Sequence, residues 1–227
     1  MNDLVQTMAA LRRDAGQRAA AACAERGAAG AGEPAGRPDP DGAPAVADLA
    51  AVLRRRRATR FFDDRPVTSG QLAEMLQAGS ACDAALWPAE HQARPLEFLV
   101  VAGEVTGLPR AVHRWGPDGF EPLVALDGTE LSTLVLQPEF ALAPALVLAI
   151  GSLESALQAH GSHGHRQLLE RSGAVCEAAW LTAVHQGLEG SIFAGFLPSA
   201  LKRLAGIDGF RRTQLLALAV GHAVGGA

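Results

Sequence analysis

Arginine dominates one short stretch of the chain: Arg54 to Arg57, then Arg60. A guanidinium keeps its charge when partly buried and binds a phosphate through two parallel hydrogen bonds. Phe61 and Phe62 follow at once and pull the segment toward a core. A solvated helix end and a nucleic-acid patch are the competing readings. The second fits poorly with a net charge of −4, since a polyanion partner calls for a basic field. A fixed anion, such as a phosphate group, fits arginines set beside buried aromatics.

A second set is histidine-rich: His160, His163 and His165, followed by Arg166. No carboxylate or thiol lies at ligand spacing, which argues against a metal centre. Gly161, Ser162 and Gly164 suggest a loop. It is either a surface loop or an active-site loop, because imidazole exchanges protons near neutral pH. A third set is Gly187 to Phe196, GLEGSIFAGF. Its glycines would let a flat ligand lie against backbone N–H groups; a turn followed by an edge strand reads the same way. There is no Ser-His-Asp order, no phosphate loop of the G-x-x-x-x-G-K-[ST] type and no G-x-G-x-x-G after a strand.

The elements that position these residues begin near Val46. Residues 45–57 read as a helix with Val46, Leu49, Val52 and Leu53 inward. Thr68 with Gln71 forms a capping-box pattern ahead of Leu72, Met75 and Leu76. EFLVVA (Glu97–Ala102) and ALVLAI (Ala145–Ile150) are buried strands. Val112–Trp115 and Phe120–Val124 flank a Gly-Pro-Asp-Gly turn. His165–Gln186 is a long helix stopped by Gly187. Pro198–Leu204 is a further helix, and Gln214–Val220 a last strand ended by Gly221. Helices and strands mix without regular βαβ alternation, which implies α+β. Residues 1–45 differ. Leu4–Arg26 is an Ala- and Arg-rich candidate helix, and Gly27–Pro44 a Gly/Pro-rich linker. The expected division is therefore a tail or arm of residues 1–45 and a folded domain of residues 46–227.

With 227 residues, 48% apolar and 19% charged, the chain can bury a real core and is not broadly disordered. The apolar run Ala141–Gly151, broken by Pro144, is too short to span a bilayer. The N-terminus lacks the basic-then-apolar order of a signal peptide. Cys23, Cys82 and Cys176 show no C-x-x-C spacing and read as reduced thiols of a cytoplasmic protein.

Taken in order, these segments resemble the nitroreductase family of FMN-dependent oxidoreductases, over about Asp48 to His222. RRATRFFDDRPVTSGQLAEML (Arg56–Leu76) is similar to the family's opening, an Arg-Arg-Ser-x-Arg run before a Phe, a Pro-Val and a helix. The resemblance implies that Arg56, Arg57 and Arg60 hold the FMN phosphate and ribityl chain. GLEGSIFAGF resembles the segment against the isoalloxazine ring. That implies flavin contact at Ile192, Phe193, Ala194 and Gly195, with the Ala194 N–H toward flavin N5. LLALAVGH (Leu215–His222) resembles the last core strand. The implied fold is nitroreductase-like: a central, mostly antiparallel sheet flanked by helices, in a homodimer with flavin at the subunit interface.

A narrower resemblance is to the azoline dehydrogenases of ribosomal-peptide biosynthesis. PAEHQARPLEFLVV (Pro88–Val101) resembles their Pro-Ser-Ala-Gly-Ala-x-His-Pro-Leu-Glu segment. GLPRAVHRWGPDGFEPL resembles their next hairpin, and HGSHGHRQLLERSGAV their Tyr-Gly-x-Arg-Gly-Tyr-Arg stretch. The implied activity is oxidation of thiazolines or oxazolines to azoles. The Lys-Tyr pair that this family uses for proton transfer falls on Ala159-His160. With no tyrosine and Lys202 the only lysine, the resemblance leaves His160 or His165 as base. Two family serines are Ala58 and Ala89 here, and no Lys or Arg follows the last strand. These departures favour an alternative, a flavin-less relative serving as binding or scaffold subunit of a peptide-modifying complex. A second alternative is a general NAD(P)H-dependent nitro or quinone reductase. Expected partners are a second copy, a heterocycle-forming enzyme and a precursor peptide, with neither nucleic acid nor membrane.

Overall fold

Two continuous apolar runs, EFLVVA and ALVLAIG, form the middle of the fold because both of their faces are covered. The structure is a computed structural model and describes residues 49–129 and 131–224. The candidate helix Leu4–Arg26, the linker Gly27–Pro44 and Val46 lie outside the described residues. Helix α1 spans Leu49–Arg55, strand β1 Val67–Thr68, helix α2 Ser69–Leu86 and helix α3 Pro88–Ala93. Strands β2 (Glu97–Ala102), β3 (Val105–Thr106), β4 (Ala111–Gly116), β5 (Gly119–Ala125) and β6 (Ala145–Gly151) follow. Helices α4 (Leu153–His160) and α5 (His163–His185) lead into β7 (Glu189–Phe193), α6 (Pro198–Ala205) and β8 (Thr213–Gly221).

The sheet order is β5-β4-β2-β6-β8-β7, and every neighbouring pair is antiparallel. β1 and β3 make a separate two-residue parallel ladder. Alternate side chains of a strand face opposite ways. Phe98, Val100 and Val147 therefore pack with Leu72, Met75 and Val175 of α2 and α5. Leu99, Val101 and Leu148 face Phe140, Phe193 and Leu201 on the other side. This is the α+β, antiparallel architecture expected from the sequence.

The capping box forms as its spacing predicts. Thr68 Oγ1 accepts from the Gln71 N–H at 3.1 Å, and Gln71 Oε1 accepts from the Thr68 N–H at 2.9 Å. α5 ends one residue earlier than predicted, and Gly187 takes φ +79° just beyond it. Other expectations need correction. In α1 only Val52 is buried, while Leu49 and Leu53 are 61% and 48% exposed. A helix of seven residues offers its neighbour a single narrow line. The histidine loop is also shorter than expected. α4 was not anticipated: Ser152 Oγ caps it by accepting from the Ser155 N–H at 3.1 Å. It runs to His160, and α5 resumes at His163, so only Gly161 and Ser162 intervene.

That tight α4–α5 corner depends on Gly164. A Cβ there would lie 2.1 Å from the Ala156 carbonyl oxygen and 2.4 Å from its carbon. Backbone atoms cannot step aside as a flexible side chain can. Gly164→Ala is expected to destabilise the protein at or above the upper part of the roughly 1–3 kcal/mol range for overpacking. A urea midpoint equal to that of the parent would refute this.

Candidate functional site

The arginine cluster is dealt out to separate partners. Arg55 donates to the Val184 carbonyl in the last turn of α5 at 3.0 Å. Arg56 lies 4.5 Å over the Trp180 ring and 3.5 Å from Glu177. Only Arg57 and Arg60, of the three predicted anion ligands, share a groove; Arg56 does not line it. This groove has a volume of about 490 Å³ and includes Thr59, Phe61, Glu189 and Ala223.

The groove runs along the open edge of β7. Ala58 bridges Gly190 in parallel, and the Thr59 N–H donates to the Gly190 carbonyl at 3.0 Å. In such an extended segment, residues two apart face one way. Arg57 and Thr59 both reach Glu189, the guanidinium at 2.9 Å and the hydroxyl through a short hydrogen bond. Burial pushes the Glu189 carboxyl up, but the hydrogen bonds from Arg57 and Thr59 outweigh it and hold it below its ordinary value. Arg60 stands 3.6 Å from Glu139.

The predicted ring-contact strip is divided. Phe193 is buried, stacked between Phe140 at 4.2 Å and Phe196 at 5.4 Å. Ile192 is half-buried on the opposite face. Ala194 is exposed, one residue beyond the end of the β7–β8 pairing. Gly195 is approached by Gln137, whose Oε1 would lie 2.8 Å from a Cβ at that position, and its carbonyl accepts from the Leu136 N–H at 2.7 Å. Close approach of a chain segment is what a glycine here permits.

His160 is embedded in an ionic network. Its Nε2 lies 2.9 Å from Glu90 Oε1 and 3.3 Å from Arg94 Nη2. Arg94 also donates through Nε to Glu90 Oε2 at 2.8 Å. Behind them Arg171, 1% exposed, donates twice to Asp83, at 2.8 and 2.7 Å. The hydrogen bond from Arg94 holds the Glu90 carboxyl at about 2, against the opposing effect of burial, with His160 adding to the lowering. Glu90 is therefore ionised near neutral pH and can only accept, so the Nε2 of His160 carries the proton. Nδ1 makes no hydrogen bond among the described residues. The cleft beside it, about 320 Å³, is lined by His163, Arg166, Gln167 and Glu170. His165, the other predicted base, is exposed and makes no hydrogen bond or ion pair among the described residues.

A carboxyl depressed in the folded state stabilises the fold above its unfolded value and loses that contribution as pH falls through the folded one. For Glu90 the window runs from 4.5 down to about 2. Glu90→Gln is expected to flatten the loss of stability in that window. Urea unfolding at pH 5 and pH 3 checks it, and equal acid slopes in parent and variant would contradict it.

Residues 53–222 match the model of the nitroreductase family. The chain belongs to that family. No curated protein sequence matches it. Among solved structures, a protein from Anabaena variabilis assigned as a nitroreductase superposes with a TM-score of 0.65 at 20% identity. That similarity covers 78% of this chain but only 38% of the other. A Ralstonia eutropha protein assigned as a nitroreductase gives a TM-score of 0.62 at 20% identity, covering 82% of this chain and 87% of its own. A chain of the E. coli microcin synthetase McbBCD complex with truncated pro-MccB17 bound gives 0.63 at 17% identity, covering 85% and 79%. At these identities the likeness is one of fold.

The family implies FMN, and the groove can be tested for it. Arg57, Arg60 and Thr59 all line the groove, donor types suited to a phosphate monoester, but Arg57 and Thr59 are turned to Glu189 and Arg60 to Glu139. Glu189 already sits on two of these donors, an anion standing where ligand oxygens would bind. By residue type the set fits the phosphate end of a nitroreductase flavin, provided the donors are released from Glu189 and Glu139. Ala58 offers no hydroxyl; the neighbouring Thr59 has one, and it is bonded to Glu189. Thr59, Glu189, Glu90 and Arg94 were not singled out from the sequence; alternation of Arg57 with Thr59 was the available signal for the first of them. No described helix is long and apolar enough to cross a membrane.

Proposed function

We propose that this nitroreductase-family chain is an FMN-dependent oxidoreductase that dehydrogenates azoline rings in a ribosomally made peptide. The observation that carries the reading is His160, held by an ionised carboxylate with one ring nitrogen free. His160 occupies the place of the proton-transfer pair in the azoline dehydrogenases that the chain resembles. Arg57, Arg60 and Thr59 would hold the phosphate, and the exposed backbone at Ala194 would lie against the ring. FMN, when bound, supplies the hydride acceptor. The chain's own part is to orient the peptide and to take the proton from the ring carbon beside the one that gives up hydride. His160 Nδ1 is the acceptor of that proton, with Glu90 fixing the imidazole through Nε2.

Topology supports this pairing of sites. β6 and β7 are both antiparallel to β8, so they run the same way. The helix that carries His160 and the segment that carries Ala194 therefore leave toward the same end of the sheet, β6 ending opposite Thr213 of β8 and β7 opposite Ala217. A second copy would complete the crevice. Exposed Phe61, Leu136 and Leu142, each more than 60% open, support a homodimer. The likeness to a chain of the McbBCD complex supports a wider assembly with a heterocycle-forming enzyme.

The test uses the full-length protein loaded with FMN, a synthetic thiazoline peptide and oxygen as final acceptor. A mass loss of two hydrogens per ring supports the reading. Reduction of quinones by NADPH with no change in the peptide would transfer the protein to the general reductases. A protein that takes up no FMN would leave the scaffold role.

A further inference from the structure

Glu189 lines the groove in which the phosphate is placed, and it faces the donors meant for that phosphate. Arg57 Nη2 donates to its Oε1 at 2.9 Å, and the Thr59 hydroxyl to its Oε2. The partners differ in freedom. Arg57 has 72% of its side chain exposed, whereas Glu189 has 22%. Glu189 is also the first residue of β7, registered against Gly221 of β8. Arg57 can swing; the carboxylate cannot withdraw far from the groove.

We propose that Glu189 is an internal anion that competes with the ligand's phosphate for Arg57 and Thr59, and so sets how tightly a phosphate monoester is held. This deepens, and rests on, the reading of the groove as a phosphate site. Exposed ion pairs are weak, so the exchange of Arg57 from carboxylate to phosphate is accessible. After the exchange the Glu189 charge still faces the bound dianion. Both the lost donors and the like-charge repulsion act against binding. Arg60 offers only partial relief, since Glu139 stands 3.6 Å from it.

Glu189→Gln keeps the shape and the carbonyl acceptor while removing the charge. FMN is titrated into parent and variant, with quenching of flavin fluorescence as readout and riboflavin, which lacks the phosphate, as control. FMN is expected to bind the variant at least about tenfold more tightly, an order of magnitude set by one ion pair and one repulsion. Riboflavin affinity is expected to be unchanged, and Arg57→Gln in the variant to erase the gain. Equal or weaker FMN binding by Glu189→Gln overturns the role of Glu189 while leaving the flavin reading intact. If neither protein takes FMN, inorganic phosphate is titrated and the amide signals of residues 57–60 are followed by NMR. A response at lower phosphate concentration in the variant keeps the competing-anion role and removes the flavin. No response to either probe overturns both. Circular dichroism and the thermal midpoint establish that the variant folds, and Glu189→Ala provides a second variant with the same expected sign.

Discussion

Arg171→Met is expected to lower the unfolding free energy by about 3–5 kcal/mol, the range for removing one partner of a buried ion pair. The Arg171 and Asp83 side chains are 1% and 2% exposed, and the guanidinium meets the carboxylate with two nearly parallel hydrogen bonds. Arg171 also donates to the Arg94 carbonyl at 3.0 Å and lies 3.9 Å from Glu90. Methionine fills most of the volume but offers no charge and no donor. The Asp83 carboxylate would keep only His91, at 3.0 Å, as a hydrogen-bond partner among the described residues. Desolvation of an unpaired carboxylate dominates the loss, well above the deficit in packing. Removing both charges separates the two contributions: Arg171→Met with Asp83→Leu is expected to recover most of the stability, because the unpaired charge has gone. Urea unfolding of the two single variants and the double variant measures this. A double variant as unstable as Arg171→Met alone would show that packing sets the cost.

Much of the fold was legible because its signals are local. The runs EFLVVA and ALVLAIG, the Thr68–Gln71 box and the Gly-Pro-Asp-Gly turn each lie within a few residues. Short helices without a strong apolar period, α3 and α4, were not legible. The candidate site was legible only as residue types. Arg56, Arg57 and Arg60 look alike in sequence, but their acidic partners Glu177, Glu189 and Glu139 lie on α5, on β7 and in the segment before β6. Which arginine stays available to a ligand is therefore decided by topology. His160 shows the same separation, since Glu90, which fixes its ring, is 70 residues away. Nothing in the spacing of His160, His163 and His165 tells which one gains a carboxylate. The structure distinguishes them by where α4 stops.

His160→Ala is expected to reduce turnover of a thiazoline peptide by about 10²–10⁴-fold, the usual contribution of a positioned general base. FMN affinity is expected to stay at the parental value, because His160 lies outside the Arg57–Arg60 groove. Stability should fall only modestly. Glu90 retains Arg94 as its main partner, with Nε to Oε2 at 2.8 Å, and the imidazole is about one-third exposed. Such a profile, slow chemistry with intact flavin uptake and fold, separates a proton acceptor from a structural residue. His165→Ala provides the comparison. Its side chain is exposed and has no polar partner among the described residues, so little change is expected. Added imidazole should restore part of the activity of His160→Ala, since a small base can enter the vacated position beside Glu90, and should leave His165→Ala unaffected. Turnover of His160→Ala within about threefold of the parent, with flavin bound, would remove His160 from the reaction. The proton would then have to go to another group.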